Sequence, residues 1–205
     1  MRIIACREIS PDQSVSFDFG TELEAHLDGF QNPSRRASSL SAWSLLHYLL
    51  SEQNICPIPK VSFTDRGKPF FVDSPLHFSI SHSGSMCAVS LADVKTGVDI
   101  ELVRPTYSPS LIRRTLSETE AEVFDGDFTA LWCRKECLVK MSGSGISEYP
   151  SKINTLEDTV SFAEKSIWDS TMREYRMSAV FEQKSNEPVR YFLFHHPPAD
   201  QSNLL

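Results

Sequence analysis

The chain has 205 residues, 40% of them hydrophobic and 23% charged, enough for one compact domain or two small lobes sharing a core. Lys+Arg 20 against Asp+Glu 27 gives a formal net charge of -7, which opposes binding to nucleic-acid backbones and to anionic membrane surfaces. Cys6, Cys56, Cys87, Cys133 and Cys137 are odd in number and form no C-x-x-C pair, the usage of a reduced cytoplasmic protein and not of a disulfide framework or zinc knuckle.

Met1 to Glu8 carries charges on both sides of a very short apolar run, so it reads as a first strand without the apolar region of a secretory signal. After Asn32-Pro33-Ser34, residues Ala42, Leu45, Leu46, Leu49 and Leu50 recur at the i, i+3, i+4, i+7 and i+8 spacing of a one-faced helix, ending near Gln53-Asn54. Ala42 to Leu50 falls well short of the roughly 20 residues of a membrane span, so no membrane association is expected. Gly67-Lys68-Pro69 predicts a turn. The segments Leu76 to Ile80, Met86 to Leu91 and Gly97 to Leu102 predict an antiparallel strand cluster.

Beyond Arg104-Pro105 the pattern turns helical again. Ser117-Glu118-Thr119-Glu120 is a capping box, and Phe128 to Met141 is a long helix closed by Gly143. Val160 to Phe162, Tyr175 to Phe181 and Val189 to Phe194 read as strands, followed by a polar, loose tail from His195. Met86-Cys87-Ala88-Val89 and Met177-Ser178-Ala179-Val180 echo each other weakly. With the repeated helix-then-strands order, this predicts two similar α+β lobes, residues 1–103 and 104–205, with a ligand cleft between them.

Asp99 and Glu101 in Gly97-Val98-Asp99-Ile100-Glu101 project to one face of a strand while Val98 and Ile100 enter the core. Carboxylates about 7 Å apart along a strand converge on one hard cation, for which magnesium suits oxygen ligands better than zinc. The isolated pattern also fits two solvated acids at an exposed strand end. Glu136 and Lys140 lie one turn apart on the second long helix, either as a surface ion pair or as further members of that site. Phe78-Ser79-Ile80-Ser81-His82-Ser83-Gly84 runs from a strand into a polar turn that fits either an anion nest or a hydrogen-bonded turn. The Ser-His adjacency establishes no hydrolase, because no G-x-S-x-G elbow is present. Lys68 in its rigid turn is a third candidate phosphate contact. Arg35-Arg36 and Arg113-Arg114 are short basic pairs of the kind usually solvated, and Cys133 and Cys137, one helical turn apart, read as core thiols.

Taken in order, Gly67-Lys68-Pro69, Phe78-Ser79-Ile80-Ser81-His82-Ser83, Gly97-Val98-Asp99-Ile100-Glu101 and Trp132-Cys133-Arg134-Lys135-Glu136-Cys137-Leu138-Val139-Lys140 resemble the 4′-phosphopantetheinyl transferases of the surfactin-synthetase (Sfp) type. The resemblance covers about Thr64 to Ile146. It implies a pseudo-dimer of two α+β lobes, a monomer with its active site between the lobes. It also implies transfer of the phosphopantetheine arm of coenzyme A to a serine of an apo acyl or peptidyl carrier protein, releasing adenosine 3′,5′-bisphosphate. Carried over by position, Asp99, Glu101 and Glu136 would bind Mg²⁺, and Lys140 would lie beside the pyrophosphate and the attacking serine. Either Glu136 or Lys140 would take the serine proton. Lys68 and Pro69 would border the nucleotide, Ser81 and His82 would hold its phosphates, and Arg36 or Arg35 would meet the 3′-phosphate. Leu111, Arg113, Arg114 and Leu116 would dock the carrier. The chain departs from the family pattern at Cys133, Cys137 and Ser144. The rival readings are a magnesium-dependent nucleotide pyrophosphohydrolase and a non-catalytic carrier-binding module.

Overall fold

The computed structural model describes residues 1–10, 17–145, 150–156, 159–182 and 187–194, so the predicted loose tail from His195 lies outside the described residues. In chain order the elements are β1 (Arg2–Glu8), α1 (Thr21–Asp28), α2 (Pro33–Glu52), β2 (Val61–Phe63), β3 (Pro69–Phe71), β4 (His77–Ser83), β5 (Met86–Ala92), β6 (Thr96–Leu102), α3 (Pro109–Thr115), α4 (Glu118–Val123), α5 (Phe128–Ser142), β7 (Ser161–Trp168), β8 (Glu174–Phe181) and β9 (Arg190–Phe194). A short 3-10 turn, Pro150–Lys152, stands between α5 and β7. No helix among the described residues is long and apolar enough to cross a membrane.

The helices begin where side chains take up their free amides. The Asn32 side chain accepts from Ser34 N and Arg35 N with Pro33 opening α2, Ser117 and Glu120 form the predicted capping box of α4, and Asp127 accepts from Ala130 N at the start of α5. Gly143 ends α5 with φ 71°, a left-handed conformation that glycine adopts without strain, and its N–H returns to the Val139 carbonyl.

Two sheets carry the fold, in strand orders β4-β5-β1-β9 and β6-β8-β7, with β2-β3 a separate hairpin. Ile3, Ala5, Cys87, Val89 and Leu91 face α2 in one core, which also takes in Trp43, Leu46 and Leu49. From the same two strands, Ile4, Cys6, Met86 and Ala88 point the other way, into a second core with Val98, Ile100, Met177 and Ala179 of the other sheet. This double duty explains why β1 and β5 are apolar nearly throughout. The helix α5 packs on β6 and β8 across the outer face of the second sheet.

Two expectations need correction. First, β6 does not join β4 and β5 in one antiparallel cluster; it pairs with β8 from Thr96↔Phe181 to Leu102↔Tyr175. β6, which precedes Arg104, thus belongs to the same sheet as β7 and β8. Period-two alternation fixes which face a residue takes but not which strand lies alongside, and here the shared apolar core selects β8. Second, each lobe is expected from the sequence to be a helix packed on a small antiparallel sheet, but in the first sheet β9 runs parallel to β1. The units β1-α2-β4-β5 and β6-α5-β7-β8 have the same element order, and their strands lie in matching orders, β4-β5-β1 and β7-β8-β6. The echoed tetrapeptides fall on the central strands of these two sets, β5 and β8.

Candidate active site

The site is built where β4, the edge of one sheet, meets β6, the edge of the other, with α5 lying across β6. Gly97 sets how closely α5 approaches: a Cβ there would collide with the Cys137 carbonyl oxygen and stand 2.8 Å from Met141 N. Because the helix backbone rests directly on the strand, the side chains at 136 and 140 reach over the acids of β6. Lys140 Nζ donates to Asp99 Oδ1 at 2.6 Å and to Ser81 Oγ at 2.8 Å. Ser81 Oγ donates to Asp99 Oδ1 at 2.8 Å, and Ser83 Oγ donates to Glu101 Oε2 at 2.9 Å.

Electrostatics couple the third carboxylate, Glu136, to this group. Burial, then the Asp99 charge, raises the Glu136 pKa; the same two causes raise that of Glu101, against the pull of Ser83, Lys140 and Arg104. Burial on its own would lower the Lys140 pKa, but the adjoining Asp99 outweighs it and holds the ammonium above its ordinary value. Asp99 Oδ2 is buried and has no hydrogen-bond partner among the described residues. A buried carboxylate oxygen left in this way calls for an ion or water. The donors are all hard oxygens, the set suited to Mg²⁺. Even so, among the described residues no group of three or more His, Cys, Asp or Glu side chains is arranged to hold a metal ion. Lys140 takes up one oxygen of Asp99.

Two clefts flank the acids. One, of about 240 Å³, is lined by Lys68, Pro69, Ile80, Lys140 and Gly143. There Lys68 Nζ donates to the Met141 carbonyl at 2.6 Å, capping the end of α5, and burial lowers its pKa. The other, of about 320 Å³, is lined by Glu101, Arg104, Tyr107, Leu111, Phe128 and Trp132. On α5, Phe128, Trp132, Glu136 and Lys140 follow one another at i+4 spacing, so a single helix face joins the second cleft to the acids and then to the first. A larger groove of about 850 Å³, around Ile55, Ile58 and Leu76, contains none of the predicted site residues.

The remaining predicted residues divide. His82 stands on the α2 side of β4, where desolvation, then Lys140 and Arg35, lower its pKa. Arg36 turns away to Asp28 at 3.7 Å, so Arg35 is the arginine of the pair near His82. In the turn after His82, Ser85 N donates to Tyr175 Oη at 3.2 Å. Arg113 and Arg114 are exposed on α3, while Leu111 and Leu116 are half-buried. Both helix thiols are buried and bonded to backbone carbonyls, Cys133 to Arg176 O and Cys137 to Ser178 O.

A profile of the 4′-phosphopantetheinyl transferase superfamily matches residues 95–189. The 4′-phosphopantetheinyl transferase AcpT of Salmonella typhi is 36% identical over 141 residues, covering 63% of this chain and 71% of that relative. The chain belongs to the 4′-phosphopantetheinyl transferase superfamily. The AcpT of Escherichia coli strain K12 is 30% identical over 138 residues, 62% of this chain and 68% of its own. The 4′-phosphopantetheinyl transferase Sfp of Bacillus subtilis is 34% identical over 97 residues, 43% of each chain.

Asp99, Glu101, Glu136 and Lys140 of this transferase all lie inside the profile match, whereas Lys68, Ser81 and His82 come from before it. Sequence reasoning missed two features at and beneath the candidate site. One is Ser83, whose spacing of two from Ser81 mirrors that of Asp99 and Glu101. Lys135, next to Glu136, points the opposite way and forms a buried ion pair with Glu120 at 2.6 Å, each side chain 2% exposed. Burial would raise the Glu120 pKa, but hydrogen bonds from Lys135, Ser117 and Thr155 outweigh that and bring it to about 2. The capping box of α4 is thereby tied into the underside of α5. An acidic residue three positions after a capping serine, with a lysine in an apolar run beyond it, was the available signal.

Proposed function

We propose that this protein transfers the 4′-phosphopantetheine arm of coenzyme A to a serine of an apo carrier protein and releases adenosine 3′,5′-bisphosphate. The observation that carries this reading is the acidic cluster with its ammonium, Asp99, Glu101, Glu136 and Lys140, set between two clefts. The repeated β-α-β-β units support a pseudo-dimer of two lobes acting as a monomer, with the site between them. In the first cleft Lys68 and Pro69 border the nucleotide, and His82 with Arg35 meets its phosphates. Ser81, committed to Asp99 and Lys140, acts on the carboxylate more than on phosphate.

Asp99, Glu101 and Glu136 would hold Mg²⁺, with Asp99 Oδ2 as the oxygen left over for it. When bound, the cation supplies charge neutralisation on the pyrophosphate. Lys140, whose ammonium has one N–H beyond the two given to Ser81 and Asp99, donates a hydrogen bond to an oxygen that gains charge as the P–O bond breaks. An ammonium giving two hydrogen bonds has no lone pair, so Glu136, which has no hydrogen bond among the described residues, is the better acceptor of the serine proton, directly or through water. The second cleft, between Glu101 and Trp132, admits the acceptor.

The test is the intact mass of apo carrier proteins incubated with this protein, coenzyme A and Mg²⁺, beside a chelated control. A magnesium-dependent gain of one phosphopantetheine arm is expected. Loss of coenzyme A with unmodified carriers would make the protein a hydrolase, and carrier binding with no covalent change would make it a non-catalytic module.

Arg113 and Arg114 carry the docking reading. Because both are exposed, Arg113→Ala with Arg114→Ala should leave folding intact and raise the carrier KM at least roughly fivefold with little effect on the coenzyme A KM. A larger effect on coenzyme A would remove α3 from the carrier surface.

A further inference from the structure

The strands β4 and β6 belong to different sheets, yet they lie side by side with no backbone ladder between them. Serine hydroxyls take the ladder's place. Ile100 N donates to Ser81 Oγ at 3.4 Å, and Leu102 N donates to Ser83 Oγ at 3.3 Å. In turn Ser81 donates to Asp99 and Ser83 to Glu101. The same three-part unit therefore occurs twice, two residues apart on both strands: a serine of β4 receives one amide of β6 and returns its proton to the acid just before that amide.

A hydroxyl has one proton and two lone pairs. The Ser81 and Ser83 protons are spent on carboxylates, and Ser81 has a second lone pair filled by Lys140. Each acid is thus held by one oxygen. At Asp99 the bonds from Ser81 and Lys140 both fall on Oδ1, leaving Oδ2 without a partner. At Glu101, whose side chain is longer, the bond from Ser83 is the one hydrogen bond on the carboxylate among the described residues.

We propose that Ser81 and Ser83 are positioning residues that fix the carboxylates of Asp99 and Glu101 before a divalent cation arrives, with Ser83 controlling Glu101. This rests on the proposed function, because it assumes those acids receive the cation. Without its hydroxyl, Glu101 would have to be ordered by the cation itself, which weakens binding. Groups that orient metal ligands in this way typically change affinity about 10-fold or more.

Ser83 is half-buried at the end of its strand, so Ser83→Ala should fold, and Ser83→Thr retains a hydroxyl on a residue favoured in strands. The experiment titrates Mn²⁺ into each purified protein without coenzyme A, reading free Mn²⁺ by electron paramagnetic resonance, and separately measures transfer against Mg²⁺ and against coenzyme A. Ser83→Ala should weaken Mn²⁺ binding about 10-fold and raise the Mg²⁺ needed for half-maximal transfer by a similar factor. Its coenzyme A KM at saturating Mg²⁺ should stay near the parent value, and Ser83→Thr should recover most of the loss.

Parent-like Mn²⁺ binding in Ser83→Ala would overturn the proposal, as would a raised coenzyme A KM with unchanged metal dependence, which would make the serine a substrate contact. A lower melting temperature with unmoved metal titrations would likewise leave the serine only a structural part and overturn it. If the parent transfers the arm but binds no Mn²⁺, the positioning role fails alone; if the parent transfers nothing, the proposed function fails with it.

Discussion

Glu136→Gln should fold as well as the parent and transfer almost nothing, with turnover lower by about 100- to 10,000-fold. The two halves of this expectation come from the same geometry. Among the described residues the Glu136 carboxylate has no hydrogen bond, and burial and the Asp99 charge both disfavour its ionised form. Replacing it with a neutral amide of the same shape removes repulsion and breaks no bond, so the melting temperature at neutral pH should be unchanged or higher. The same change removes a charge from the acidic cluster and the group best placed to accept the serine proton. Intact-mass kinetics on one carrier and a thermal melt on the same preparation decide the matter. Near-normal turnover would take Glu136 out of the chemistry, and a marked fall in melting temperature would make it a structural residue. Asp99 offers a less clean test, because Lys140 and Ser81 both bond to it and would lose a partner.

Gly97→Ala should damage both stability and activity, although it adds a single carbon more than 30 positions from either Glu136 or Lys140 in sequence. The added carbon meets backbone atoms of α5, the Cys137 carbonyl oxygen and Met141 N, which cannot rotate away as a side-chain tip would. Overpacking of this kind costs about 1–3 kcal/mol. The helix must also lift from β6, carrying Glu136 and Lys140 away from Asp99, and a misplacement of about 1 Å at a reacting centre lowers rate on the order of 100-fold. Denaturant unfolding and carrier-modification kinetics would both register the change. A variant with the parent's turnover would mean that α5 has freedom to shift at no expense to the site.

The sequence made the long helices legible because their evidence is local. The Leu45, Leu46, Leu49 and Leu50 stripe, the Ser117 to Glu120 box and Gly143 each announce a helix face or end within a few residues. The alternation in Val98-Asp99-Ile100-Glu101 likewise assigned faces correctly, with the apolar pair in the core. Partners were another matter. Nothing in a period of two tells β6 to choose β8 over β5, or β9 to run alongside β1, because those choices depend on cores assembled from distant segments. At the site, residue type and spacing identified the acids and Lys140. They did not reveal that Ser81 and Ser83 attend to the carboxylates, that Arg35 and not Arg36 approaches His82, or that Lys135 and Glu136 leave the helix in opposite directions.

The parallel pairing of β1 with β9 also bears on how the protein is made. Ile3 pairs with Arg190 and Arg7 with Phe194, so β1 finds this neighbour only after the long stretch of chain between the two strands has been synthesised. Until then β1 keeps an open edge, the kind of surface on which nascent chains adhere to one another. Growth at lower temperature or slower expression gives β9 time to close that edge, and a stop codon placed just before Arg190 would strip a strand from the sheet at the opposite end of the sequence.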